Sequence, residues 1–80
     1  MTIEVQLFAS YAEALGAKSL QIKLPEDATV EALMVELFRL PGSDKLPRKP
    51  LVAVNLVYAE PNTKLSAGDE VAVIPPVAGG

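Results

Sequence analysis

The sequence predicts an α+β fold in which a mixed sheet of roughly four to five strands packs on one main helix. Three observations lead there. Ile3, Val5 and Leu7 alternate with Glu4 and Gln6, and Leu20, Ile22 and Leu24 alternate with Gln21 and Lys23, the period of strands with one buried face. From Val30 onward the apolar spacing changes to that of a helix. Two later runs, Leu51 to Val54 and Glu70 to Ile74, are again rich in valine and isoleucine. A helix between the second and third strands, with every strand in one sheet, places that helix on one sheet face.

Each element has its own local signals. After the first strand Phe8 falls on the face opposite Ile3, Val5 and Leu7, and Ser10 is placed to cap a short turn of helix through Leu15. Gly16 can end that turn in a left-handed conformation. Pro25 closes the second strand before a turn at Glu26 and Asp27. Thr29 is the expected cap of the main helix, whose stripe is Val30, Leu33, Leu37 and Leu40, widened by Met34 and Phe38, until Pro41 and Gly42 stop it. Residues 43–50 are polar and proline-bearing and read as a loop. Leu51 to Val54 is apolar on both faces, which suits a strand covered on both sides. Asn55 and Leu56 turn the chain into a short strand at Val57 and Tyr58. Ala67, Gly68 and Asp69 turn it into a last strand beside the first, so residues 75–80 protrude from a domain spanning residues 1–74.

Composition removes many functions. Eighty residues make one small domain, near the size at which a single core is only just sufficient. Without Cys, His or Trp the chain holds no thiolate or imidazole metal site, no Cys nucleophile and no Ser-His triad. Its ten acidic residues lack EF-hand spacing, so no metal is expected. A net charge of −3 and an isoelectric point near 4.7 disfavour nucleic acid. The basic cluster Lys45, Arg48 and Lys49 reads either as a solvated loop or as the edge for an anionic partner. No apolar run is long enough to cross a membrane and Met1, Thr2, Ile3, Glu4 does not open a signal peptide, so the expected location is cytoplasmic. Half of the residues are apolar and the mean hydropathy is +0.30, an excess that a filled core or a covered surface patch would absorb.

The tail Pro75, Pro76, Val77, Ala78, Gly79, Gly80 reads either as a frayed terminus or as a chemical handle. Two glycines without Cβ atoms can thread a channel too narrow for other residues, and the two prolines aim the segment away from the domain. The reactive group is then the Gly80 carboxylate. By alternation Phe8 and Ile74 lie on the outer sheet face, where they either fill a second minor core under the loops or form with Tyr58 the expected docking patch beside this tail.

Strand, strand, helix, strand, strand and a Gly-Gly ending resemble the ubiquitin-like β-grasp sulfur carriers. The stretch Val52 to Asn55, the turn Ala67, Gly68, Asp69, Glu70, Val71, Ala72 and the Pro-Pro-Val-Ala-Gly-Gly tail resemble, within them, the small subunits of molybdopterin synthase. Phe8-Ala9, Leu15-Gly16 and Thr29 to Leu33 extend the match over nearly the whole chain.

The resemblance implies a chain that binds no cofactor and is a sulfur-donating subunit without a stand-alone active site. Gly80, preceded by Gly79, is adenylated with ATP by a partner resembling ubiquitin-activating enzymes, then converted to a thiocarboxylate. The tail next inserts into the large synthase subunit, within a heterotetramer. There its sulfur attacks cyclic pyranopterin monophosphate and forms the dithiolene used in molybdenum cofactor biosynthesis. Phe8, Tyr58, Ile74, Pro75, Pro76, Val77 and Ala78 become the partner interface. Three rivals stand beside it: a sulfur carrier for thiamine or tRNA thiolation, a protein modifier joined through Gly80, and a β-grasp interaction module with an inert tail.

Overall fold

In the computed structural model, which describes residues 1–46 and 50–75, the chain begins with strand β1 (Thr2–Leu7), helix α1 (Ser10–Leu15) and strand β2 (Ser19–Lys23). Helix α2 (Val30–Leu37), a 3₁₀ turn at Ser43–Lys45, and strands β3 (Leu51–Val54), β4 (Val57–Tyr58) and β5 (Glu70–Ile74) follow. The five strands form one sheet in the order β2-β1-β5-β3-β4. β1 and β5 pair in parallel, Val5 with Val71 and Leu7 with Val73; the other pairs are antiparallel. A parallel pair needs a long crossover, and everything between β1 and β5 supplies it. The expectation that the last strand lies beside the first is met.

One sheet face builds the core. Ile3, Val5 and Leu7 from β1, Ile22 from β2, Val52 from β3 and Val71 and Val73 from β5 are buried together with Val30, Leu33 and Leu37 of α2. Leu24, Leu46, Leu65 and Tyr11 close its margins. Burial raises the Tyr11 pKa, since desolvation disfavours the phenolate.

Capping explains where α2 begins. Thr29 Oγ1 accepts the Ala32 N–H at 3.3 Å, as its position predicts. The otherwise orphaned N–H groups of Val30 and Glu31 donate to the Thr63 and Pro61 carbonyls, both at 2.9 Å. The segment 61–65 thus ties the helix start to the β4 side of the sheet. At the other end the helix stops at Leu37, earlier than Pro41 alone suggests. The Arg39 and Leu40 N–H groups bond three residues back, to Glu36 and Leu37, because the residue before a proline is pushed out of the helical region and the last turn tightens. The Ser43 hydroxyl donates to the Phe38 carbonyl at 2.7 Å and satisfies one of the exposed helix-end acceptors.

Three local expectations are corrected. Ser10 is the first residue of α1, so the cap position falls on Ala9 (φ 48°, ψ −123°) and no side chain caps that helix. The presumed loop after α2 contains a 3₁₀ turn that seats Leu46 in the core, with Ser43 also buried. β3 is covered on one face only: Val52 is buried, but Leu51 faces outward and is 37% exposed. Of the basic cluster, Lys45 is exposed, and Arg48 and Lys49 lie outside the described residues.

Candidate docking face and tail root

The face of the sheet turned away from α2 carries the candidate site. Cross-strand register arranges it in rows. Leu51 pairs with Ile74, and the β1–β5 register continued by one step beyond Leu7 and Val73 sets Phe8 beside Ile74. One row further from the tail come Gln6, Ala72, Ala53 and Tyr58 across four strands. The next row holds Glu4 beside Glu70. The face therefore grades from apolar at the tail root to acidic at its far end.

The expected patch residues share this face but do not form one cluster. Phe8 (47% exposed) and the half-buried Ile74 are on neighbouring strands, with Pro75 directly after. Tyr58, 70% exposed, is on the edge strand β4, three strand steps from Phe8 and about 14 Å away across the sheet. Pro76, Val77, Ala78, Gly79 and Gly80 lie outside the described residues.

Sequence reasoning passed over Leu51, Ala53, Ala72 and Leu56. Ala53 and Ala72 are partners across β3 and β5, and their small side chains floor a dimple of about 250 Å³ rimmed by Phe8 and Leu56. Leu56 is 95% exposed. It occupies the second position of the two-residue turn joining Val54 to Val57, where Asn55 and Leu56 both have positive φ, 51° and 72°. Such a hairpin connection favours Asn-Gly. A leucine where glycine belongs was a legible signal of something besides turning.

That turn is held firmly. The Asn55 N–H donates to the Glu70 carbonyl at 2.8 Å, and the Glu70 N–H donates to Asn55 Oδ1 at 3.0 Å. Asn55 Nδ2 donates to Asp69 Oδ1 at 3.0 Å while Asp69 Oδ2 accepts the Ser66 N–H at 2.7 Å. These two bonds, the Ser66 amide first and Asn55 second, hold the Asp69 pKa below the usual aspartate value by favouring the ionised form.

A hollow of about 460 Å³ opens on the opposite side, between α2 and β3, lined by Val30, Met34, Val52 and Ala59 with Glu31 at its margin. One carboxylate without a paired acid or base does not make an acid–base site. Among the described residues no group of three or more Asp or Glu side chains is gathered as metal ligands would be. No helix there is long and apolar enough to cross a membrane.

A five-stranded mixed sheet clasping one main helix, with its last strand leading into a Gly-Gly tail, defines a ubiquitin-like β-grasp protein. Residues 5–80 match the model of the ThiS family, and the chain belongs to that family. Over 83 residues it is 35% identical to the molybdopterin synthase sulfur carrier subunit of Chlamydomonas reinhardtii, covering 100% of both chains. The crystal structure of SAMP1 from Haloferax volcanii superposes with a TM-score of 0.85 at 30% identity over 100% of both chains. One chain of a protein–protein complex of subunits 1 and 2 of the molybdopterin-converting factor from Helicobacter pylori matches with a TM-score of 0.73 at 26% identity, again over 100% of both chains.

Proposed function

We propose that this chain is the sulfur-carrying subunit of a molybdopterin synthase. The observation that carries the reading is the full-length similarity to a sulfur carrier subunit of that enzyme in a chain whose sequence includes Gly79-Gly80. The Gly80 carboxylate resists attack because its charge and resonance oppose a nucleophile. A carboxylate oxygen attacks the α-phosphate of ATP held by an activating partner, and pyrophosphate leaves. A sulfur nucleophile then displaces AMP, and the terminus becomes a thiocarboxylate. Inserted into the large subunit, the terminal sulfur attacks cyclic pyranopterin monophosphate. Water then cleaves the bond between the Gly80 acyl carbon and that sulfur, so the sulfur stays on the pterin and the terminal carboxylate is restored; two such deliveries supply the dithiolene sulfurs. The chain acts as reagent and subunit in the cytoplasm and binds no cofactor itself; groups that handle the pterin belong mainly to the large subunit.

The outer face fits the delivery step. Phe8 and Ile74 are exposed or half-buried beside Pro75, so a partner gripping them holds the tail in register as it enters a channel. A second reading, protein modification through Gly80, is supported by the likeness to SAMP1, a small archaeal modifier protein. Lysine-linked conjugates in cells would favour it. A thiamine or tRNA carrier within the same family would still be charged, but would not deliver sulfur to the pyranopterin.

The test is charging followed by delivery. With activating enzyme, ATP and a sulfur source, mass spectrometry of the intact chain is expected to find one terminal oxygen replaced by sulfur. Mixed with the large subunit and cyclic pyranopterin monophosphate, the charged chain should yield molybdopterin. A variant lacking Gly80 is expected to fold and to fail at charging. Sulfur delivery by that variant, or charging without molybdopterin formation, would overturn the proposal.

A further inference from the structure

We infer that the dimple between Phe8 and Leu56 receives one apolar side chain of the large synthase subunit, and that Leu56 is kept in an unfavourable backbone conformation to form its rim. The inference rests on the proposed role as a synthase subunit. Its observations are independent of that role. Leu56 has φ 72° and is 95% exposed, so it gains almost nothing from packing within this chain while occupying a region that L-residues with bulky side chains avoid. A strained and exposed non-glycine residue at the edge of a concavity points to a role that the isolated fold does not explain.

The dimple is shaped for a side chain. Its floor is the paired alanines Ala53 and Ala72, which leave room that larger residues would fill, and its volume of about 250 Å³ is ample for one Leu- or Phe-sized group. Its rim is already ordered, because Asn55 is bonded to both Asp69 and Glu70. A partner therefore gains contact with Leu56 without first having to immobilise the turn. The occupant follows from position. Ala72 is on β5, two residues before Ile74 and three before Pro75, so whatever seats here is held at the root of the tail. The adjacent Glu4 and Glu70 carboxylates, exposed side by side on one face, call for a cationic residue of the partner next to its apolar one.

Four variants of the full chain test this, each melted by circular dichroism and titrated against purified large subunit by calorimetry. Leu56→Gly and Leu56→Asn relieve the backbone and remove the rim. Both are expected to melt higher, Leu56→Gly by about 3 °C or more, yet to bind about tenfold more weakly. Asn tolerates positive φ without the freedom of Gly, so agreement between the two excludes added flexibility as the cause. Ala72→Leu fills the floor and is expected to fold and to bind at least tenfold more weakly. Phe8→Glu tests the face itself. If Phe8→Glu weakens binding while both Leu56 variants and Ala72→Leu bind as tightly as the unaltered chain, the dimple is not a receptor and the inference fails, but the docking face stands. If Phe8→Glu also leaves binding unchanged, or the unaltered chain does not bind the large subunit, the reading of the face fails too. Lower melting of both Leu56 variants would show that Leu56 carries no strain and overturn that part.

Discussion

Gly42 shows how tightly one residue can be constrained in so small a domain. Its φ is 92°, and a Cβ built there would collide with the backbone carbonyl of Ala14 in α1. The obstacle is backbone rather than a movable side chain. Gly42→Ala is therefore expected to destabilise the fold by about 2 to 4 kcal/mol, read from the urea midpoint of unfolding, combining backbone strain with an overpacked contact. Asp69 makes a prediction of a different kind. Because hydrogen bonds lower its folded-state pKa, the carboxylate contributes stability that is complete above the ordinary aspartate value near pH 4 and is lost as pH falls through the folded-state value. Melting temperatures of the unaltered chain and Asp69→Asn, measured from about pH 7 to pH 2, should differ by a constant amount above about pH 5 and converge below about pH 4. Convergence in the opposite direction, on raising pH, would contradict the assigned bonds.

At the scale of elements, α2 has eight residues, too few to be stable alone, so its stability comes from the face it buries. Leu33 and Leu37 are fully buried on that face, in the same core as Val5 and Val73. Leu37→Ala is expected to cost about 2 to 5 kcal/mol by chemical denaturation, a large share of the stability of a domain of this size. A loss below about 1 kcal/mol would mean that the last turn collapses to fill the space. The helix stripe was legible in the sequence because its period depends only on side-chain spacing. Its end was not. Pro41 reads as the stop, but the proline acts through the residue before it, and the tightened turn begins at Leu37.

For the whole molecule, sheet order decides what the face and tail can do together. β5 lies between β1 and β3, so Phe8, Ile74 and Leu51 meet beside the point where the tail departs. Phe8→Glu and Ile74→Glu, with folding checked by circular dichroism, are each expected to weaken binding to the large subunit and to the activating enzyme by about 2 kcal/mol or more if they are hot spots. Unchanged affinity for both partners by calorimetry would remove this face from the interface. Deleting Gly80 should leave the melting curve unaltered, since Gly80 is six positions beyond Ile74, the last residue of β5.

The sequence by itself determined where the strands and the main helix lie and which face of β1, β2 and α2 is buried, and it pointed to the tail as the candidate for covalent chemistry. Those features follow from local periodicity, from turn residues and from the reactivity that a chain without Cys or His can still offer. Only the tertiary structure decided how the outer face is composed. Alternation assigns Phe8 and Ile74 to one side of the sheet and the expected patch adds Tyr58 to them, but register and strand order set Tyr58 three strands from Phe8 and bring Ala53 to Ala72 instead. Leu56 reads in the sequence as a turn residue and in the structure as an exposed rim with a strained backbone. The physical reason is that a strand's own period identifies its two faces, whereas neighbours across a sheet come from pairings between segments far apart in the chain.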